Sequence, residues 1–148
     1  MSDIDSAINC AIKHIGIATY SSGKIFEYLA RKGFDESTCR AAVDHLVSTG
    51  YINDIKASGK VLFTRSGKKQ ESRRYIYQRL LAAGIAPEAA DEVISTLKSD
   101  EETCLDLINA NYDHGAEVSF EEFVKLAERR GYSLDIAGRT YDIWQTES

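Results

Sequence analysis

The sequence has a single proline, Pro87, and only ten glycines among its 148 residues. Proline and glycine separate the short strands of β sandwiches and barrels, so their scarcity argues against an all-β fold. No apolar stretch approaches the roughly 18–20 residues that a membrane-spanning helix needs. The acidic start, Met-Ser-Asp-Ile-Asp, is unlike a secretory signal. We therefore expect a cytoplasmic protein with no membrane association.

Cysteine is scarce as well, because Cys10, Cys39 and Cys104 are the only three and none belongs to a Cys-x-x-Cys pair. A scattered, odd number is typical of reduced, buried thiols rather than of a disulfide or zinc framework. The sequence also lacks the glycine-rich phosphate and dinucleotide motifs and the zinc-protease motif. No histidine lies beside a serine or cysteine in a nucleophile setting. We therefore expect a non-enzymatic protein without cofactor or metal.

One segment resembles a calcium-binding loop of the EF-hand type. Asn111, Asp113 and Glu122 fall at loop positions 1, 3 and 12. However, Gly115 at position 5 offers no side-chain oxygen, position 6 is alanine where the turn requires glycine, and no second loop is present. We interpret the segment as a helix connection that ends in a capping box, Ser119-x-x-Glu122.

The net charge of −5 is unevenly distributed along the chain. Residues 1–66 carry 8 Lys/Arg and 7 Asp/Glu, a net charge of +1. Residues 67–98 carry 6 and 4, a net charge of +2, whereas residues 99–148 carry 4 and 12, a net charge of −8. This distribution excludes a uniformly basic nucleic-acid binder and indicates a basic centre followed by an acidic last third.

A repeat runs through the chain, aligned on Gly33, Gly84 and Gly131, which are 51 and 47 residues apart. Apolar residues recur one, six, ten and thirteen positions after each glycine. The last three offsets lie on one face of a helix, and we interpret these apolar positions as core. Glycine is typical of the left-handed position just past a helix end. Each repeat is therefore predicted to contain a helix, a glycine stop with positive φ, and a second amphipathic helix.

A further periodic segment precedes each of these helix pairs, at residues 7–18, 52–64 and 101–111. Asp35 and Ser133 stand at N-cap positions, Pro87 stands in a first helical turn, and a helix is predicted over 120–130. The sequence thus predicts an all-α fold of nine helices and no strand. The repeats would span 1–50, 51–98 and 99–148. Since about 45 residues bury too little surface alone, we expect the repeats to pack into an elongated, curved array.

The strongest functional signal is a basic junction from Arg65 to Arg79, which holds six cations and one acid in fifteen residues. Arg73, Arg74 and Tyr77 fall within one helical turn, and we expect both arginines to be exposed. Cations beside an aromatic ring suit contacts to phosphates and bases, or to an acidic protein surface; a solvated helix face is the alternative. The candidate binding residues here are Arg65, Lys68, Lys69, Arg73, Arg74, Tyr77 and Arg79.

Two cation pairs that directly precede repeat glycines complete the candidate set. They are Arg31-Lys32 and Arg129-Arg130. Cations are also favoured at helix C-termini by the helix dipole, which offers a purely structural explanation for both pairs.

The segments around the repeat glycines resemble the RecX family of bacterial regulatory proteins, which consist of three tandem three-helix repeats. The resemblance covers about residues 6–145 and is strongest in 28–36, 46–54, 73–85 and 126–133. It implies binding within the groove of a RecA–DNA filament and inhibition of the ATPase, strand-exchange and co-protease activities of RecA, in DNA repair, recombination and the SOS response. Glu71-Ser72 stands where the family often has Gly-Pro.

Two other functions fit parts of the sequence. A helical adaptor that binds only protein fits the net acidity. A helix-turn-helix transcription factor needs a helix with base-reading side chains, and helix 35–49 offers only Arg40, Asp44 and His45. We therefore predict a monomeric, non-enzymatic regulator that binds the RecA–DNA filament, with its affinity for bare DNA weakened by the net acidity.

Overall fold

The structure is a computed structural model that describes residues 2–147, and within this range all regular secondary structure is helical. The all-α prediction is confirmed. The helices are α1 (Asp3–Ile15), α2 (Ser22–Arg31), α3 (Glu36–Ser48), α4 (Asp54–Thr64), α5 (Arg73–Ala82), α6 (Pro87–Thr96), α7 (Asp100–Asn111), α8 (Phe120–Arg129) and α9 (Leu134–Glu147), with a 3₁₀ turn at Gly67–Lys69 between α4 and α5. None of these helices combines the length and the hydropathy that crossing a bilayer requires.

The helix ends follow the capping residues. Ser2 accepts a hydrogen bond from the backbone N–H of Asp5, so α1 begins four residues earlier than its apolar pattern predicts. The predicted caps Asp35 and Ser133 accept the backbone N–H groups of residues 38 and 136 at 2.8 and 3.2 Å. Ser119 caps α8 in the same way, at 3.1 Å from the N–H of residue 122.

The described residues form two compact units, each built from two stretches of chain. The first takes in the chain up to Lys60 together with Leu80–Val93, and the second takes in Val61–Arg79 together with the chain from Ile94 onward. Helices α4, α5 and α6 each contribute residues to both units. The division into three repeats at 50 and 98 stays a prediction, as does the curved shape of the array.

Each unit has its own apolar core. In the first, α1, α2 and α3 bury the side chains of Ala7, Ala11, Ile15, Ile25, Leu29, Cys39, Ala42 and Leu46. In the second, α7, α8 and α9 bury Cys104, Leu107, Ile108, Phe123, Ala127, Ala137 and Trp144. All three cysteines are free thiols, and burial raises the pKa of the Cys104 thiol to about 11. That thiol is therefore protonated and unreactive at neutral pH.

A carboxylate fixes two helix starts in the first unit. Asp54, the first residue of α4, accepts hydrogen bonds from the backbone N–H and hydroxyl of Ser22 at 2.7 and 2.6 Å. It also accepts the backbone N–H of Ala86 at 2.9 Å, directly before α6. Carboxylates are stabilising at helix N-termini because they accept unpaired N–H groups and complement the helix dipole. One side chain therefore holds the starts of both α2 and α6.

The same link occurs in the second unit. Asp100, the first residue of α7, accepts the backbone N–H of Arg73 at 2.9 Å. Ser21 and Ser72, one residue before each linked N–H, accept the N–H three positions further on and cap α2 and α5. Each serine lies twelve residues before a repeat glycine. The link therefore repeats with the glycines.

The repeat glycines Gly33, Gly84 and Gly131 have φ values of 99°, 87° and 91°, which confirms the predicted positive φ. At two of these glycines a side chain would also clash with neighbouring atoms. A Cβ on Gly84 would clash with the hydroxyl of Ser21, and one on Gly131 would lie 2.5 Å from both the hydroxyl oxygen of Ser72 and Cγ of Tyr75. Among residues 2–147, nothing lies within 4 Å of the corresponding point at Gly33.

Alanine substitutions should separate backbone strain from crowding. Gly33→Ala should lower the free energy of unfolding by about 1 kcal/mol through strain alone. Gly84→Ala and Gly131→Ala should cost about 2 kcal/mol or more, since strain and overpacking add. Urea denaturation measures all three. Gly59, inside α4 with open space around it, is the control, and Gly59→Ala should stabilise by roughly 0.5–1 kcal/mol. Equal losses at the three repeat glycines would contradict the crowding argument.

Candidate functional site

The basic junction is organised around a buried acid, Glu71, whose side chain is 1% exposed. The guanidinium of Arg79 donates to both of its carboxylate oxygens, at 2.6 and 2.8 Å. Nη1 of Arg65 lies 4.0 Å from the same carboxylate. This pairing raises the pKa of Arg79, so its charge is retained at any ordinary pH. Because a buried carboxylate without partners is strongly destabilising, both arginines are engaged in holding the fold.

Arg73 is also engaged. Its guanidinium donates to the carbonyl oxygens of Leu97 and Lys98, just past the end of α6, with the Lys98 contact at 3.1 Å. The residue is half-buried, and our expectation that it is exposed is wrong. Both carbonyl groups lie in the connection between α6 and α7, outside either helix, where they can accept from a guanidinium. Arg73 therefore holds this connection rather than facing solvent.

Arg74 behaves as predicted, since it is exposed. Its guanidinium lies 5.4 Å from the ring centroid of Tyr75 and donates one hydrogen bond, at 3.3 Å, to the carbonyl oxygen of Gly131. A guanidinium has five N–H donors in all, so most of those on Arg74 remain available to a ligand. Tyr77, expected on the same face, is half-buried.

Lys68 and Lys69 lie on the 3₁₀ turn, and both are exposed. Neither forms an ion pair with any other residue in the range 2–147. The backbone that carries them is fixed, because the Lys69 N–H donates to Ser66 and the Asn111 amide donates to the Lys68 carbonyl oxygen at 3.2 Å. Asn111, the first position of the calcium-like loop, thus anchors this turn. We call Lys68, Lys69 and Arg74 the exposed cations of the junction.

Phe63 is a candidate that the sequence analysis missed. Its side chain is 84% exposed, and its carbonyl oxygen accepts the hydroxyl hydrogen bond of Ser66 at the start of the basic turn. The helical period of 52–64 led us to interpret such apolar positions as core. An exposed aromatic ring a few residues before exposed cations in the chain can stack on a base or pack on an apolar protein surface.

The cation pairs before the repeat glycines differ in their surroundings. Arg31 and Lys32 are exposed on the first unit, with the Lys32 ammonium 5.5 Å from the ring centroid of Tyr28. Arg129 is exposed at the end of α8. Arg130 is half-buried, and its carbonyl oxygen accepts the Ser72 N–H at 2.9 Å, so it supports the start of α5.

The position of Glu71 has a counterpart in each of the other repeats. The ion-paired residues Arg65, Glu71 and Arg79 lie 19, 13 and 5 positions before the repeat glycine Gly84. The residues at the same positions are His14, Tyr20 and Tyr28 in the first repeat and Tyr112, Val118 and Leu126 in the third. In the first, the His14 ring stacks on Tyr28 with centroids 3.7 Å apart. In the third, Val118 is buried in the core. The same three positions are thus filled by aromatic, ionic or apolar groups, which marks Glu71 as structural.

The chain is similar to known proteins, although no family model matches it. Regulatory protein RecX of Chlorobium phaeobacteroides is 29% identical over 108 residues, which cover 72% of this chain and 71% of that protein. Regulatory protein RecX of Clostridium tetani is 27% identical over 101 residues, 66% of this chain but only 46% of that protein. The crystal structure of RecX from Lactobacillus salivarius matches with a TM-score of 0.70 and 17% identity, over 97% of both chains.

The solved structure establishes the class of fold, because the chain shares the helical-repeat architecture of that protein along nearly its full length. The two curated relatives carry the same family name as the solved structure. The resemblance to the RecX family seen in the sequence is therefore confirmed.

Removing the charge of the buried acid should destabilise the chain. Glu71→Gln leaves two half-buried guanidinium groups without their carboxylate, and we expect the free energy of unfolding to fall by roughly 2 kcal/mol, less than for a fully buried pair because Arg79 is 42% exposed. Chemical denaturation followed by circular dichroism measures the loss. Glu36→Gln, which removes the exposed pair with Arg40, is the control and should cost less than about 0.5 kcal/mol. Similar losses for both variants would contradict a special role for Glu71.

Proposed function

We propose that the chain is a non-enzymatic regulator of RecA that binds the RecA–DNA filament and inhibits its ATPase, strand-exchange and co-protease activities. The relatives named regulatory protein RecX support the regulatory role. The observation that carries the filament contact is the set of exposed cations Lys68, Lys69 and Arg74, of which the two lysines form no ion pair within residues 2–147.

The physical basis of the contact is phosphate neutralisation. An exposed ammonium or guanidinium that binds a phosphate releases condensed counterions, which favours association at low salt. Because the turn that carries Lys68 and Lys69 is held by Ser66 and Asn111, binding orders side chains only and not backbone. Phe63 would add a stacking or apolar contact next to these cations.

The acidic last third shapes the choice of target. Residues 99–148 carry a net charge of −8 and repel DNA, so affinity for bare DNA should be low. A filament presents protein together with DNA, and its basic protein groups would face these carboxylates. Inhibition then follows if the chain binds one filament conformation more tightly than the others through which the recombinase must pass.

A helical adaptor that binds protein and no nucleic acid is the second candidate function. The net charge of −8 over residues 99–148 favours it. The engagement of Arg65, Arg73 and Arg79 inside the second unit favours it too, since these arginines offer less charge to DNA than their number implies.

Reversing the two free lysines tests the filament contact. Lys68→Glu/Lys69→Glu should weaken binding to RecA filaments on single-stranded DNA and reduce inhibition of ATP hydrolysis. Each lost phosphate contact should also flatten the dependence of log affinity on log salt by about 0.7–0.9. Fluorescence anisotropy and a coupled ATPase assay measure both effects. The control is Lys13→Glu/Lys125→Glu, which makes the same charge change at two exposed lysines outside the junction.

Three outcomes would contradict either the filament contact or the regulatory role. An unchanged salt slope in the junction variant, with filament binding retained, would favour the protein adaptor. Equal weakening by the junction and control variants would show that overall charge, and not the exposed cations, governs binding. RecA ATPase that is insensitive to excess wild-type protein would reject the regulatory proposal itself.

A further inference from the structure

The first unit carries a groove whose lining includes none of the exposed cations of the junction. Residues of α2, α3 and the starts of α4 and α6 line an open cleft of ≈ 920 Å³. Clefts that hold ligands in proteins have volumes of about 300–1,000 Å³. All of its lining residues belong to the first unit.

The lining is apolar over much of its surface. Phe26, Val43 and Ile52 are half-buried or buried, whereas Val47 and Ile55 are 48% and 44% exposed. Apolar side chains grouped in a concavity and left open to water mark interaction sites more often than isolated exposed ones do. The groove therefore offers a place where apolar side chains of a partner lose contact with water.

The charge at the groove is negative. Asp44 and Glu88 line it, are exposed, and have no ion-pair or hydrogen-bonding partner in the range 2–147. Arg40 is the only cation among its described lining residues, and it is paired with Glu36 at 3.2 Å and lies over the ring of Phe26. Asp54 is occupied by the N-termini of α2 and α6.

The combination of an apolar lining and exposed carboxylates disfavours nucleic acid as the ligand of the groove. Two free carboxylates repel phosphates, and no lining cation is free to neutralise one. A protein segment with apolar side chains and flanking lysines or arginines fits both properties, because its apolar face fills the groove while its cations meet Asp44 and Glu88.

We propose that this groove binds an amphipathic basic segment of a partner protein, in the manner of a helix laid into an apolar groove. Residues spaced three, four and seven apart along that helix would contact Phe26, Val47 and Ile55. The first unit thus has a protein-binding surface of its own. The inference goes beyond the proposed function, because it depends neither on DNA nor on the identity of the recombinase.

Charge-swapped peptides test the proposal directly. Two fluorescein-labelled synthetic helices share leucines at positions i, i+3, i+4 and i+7 and differ only in carrying lysines or glutamates elsewhere. The full chain should bind the lysine peptide at least about tenfold more tightly than the glutamate peptide in fluorescence anisotropy. Asp44→Lys/Glu88→Lys should reverse this preference.

A matched variant controls for overall charge. Glu117→Lys/Asp142→Lys changes the net charge by the same amount at exposed carboxylates outside the groove. It should keep the preference for the lysine peptide. If it abolishes the preference as fully as the groove variant does, the attraction comes from the net charge of the chain and the proposal is wrong.

The apolar lining is tested without any change of charge. Val47→Asn should weaken the lysine peptide about fivefold, whereas Ile17→Asn, at a fully exposed isoleucine outside the groove, should change it less than about twofold. The comparison of the two asparagine variants tests binding in the groove even if circular dichroism shows that Asp44→Lys/Glu88→Lys does not fold. Equal effects of the two asparagine variants, or a wild-type chain that binds neither peptide, would overturn the proposal.

Discussion

A carboxylate at the start of one helix holds the start of another helix that lies about thirty residues earlier in the chain, and the packing of each unit follows from that link. Asp54 binds Ser22, and Asp100 binds Arg73, through backbone N–H groups at the N-termini of α2 and α5. The N-termini of α2 and α5 then lie so close to Gly84 and Gly131, the glycines of the following repeats, that no side chain fits at these two positions. The serine and the glycine therefore recur together, twelve residues apart in the first two repeats.

The same geometry decides which cations are available. A guanidinium close to a buried carboxylate or to the carbonyl groups of a helix connection is held by them, as Arg79 and Arg73 are. The ammonium groups of Lys68 and Lys69, on a short turn, form no ion pair within residues 2–147. The number of basic residues in a segment is therefore a poor measure of the charge that it offers to a ligand. The backbone position of each cation is a better one.

The sequence predicted what depends on local pattern. Helix positions, the caps at Asp35 and Ser133, and the positive φ of the repeat glycines all follow from periodicity and short-range hydrogen bonding. It missed what depends on distant partners, because Arg73 meets carbonyl groups more than twenty residues away. Phe63 was missed because a helical period cannot show which apolar face lacks a neighbour. Ser21 and Ser72, twelve residues before Gly33 and Gly84, recur at the same position of the repeat and were therefore predictable from the sequence.

The interleaving of the two units has a consequence for the growing polypeptide. Residues 80–93 belong to the first unit, yet they are synthesised after residues 61–79 of the second. A nascent chain that ends at residue 60 has Asp54 and Ser21 in place but lacks the backbone groups of Ala83 and Ala86 that they bind. The first unit therefore cannot complete its hydrogen bonds until part of the second has left the ribosome. Domains that are contiguous in sequence fold in order from the N-terminus, and this chain must depart from that order.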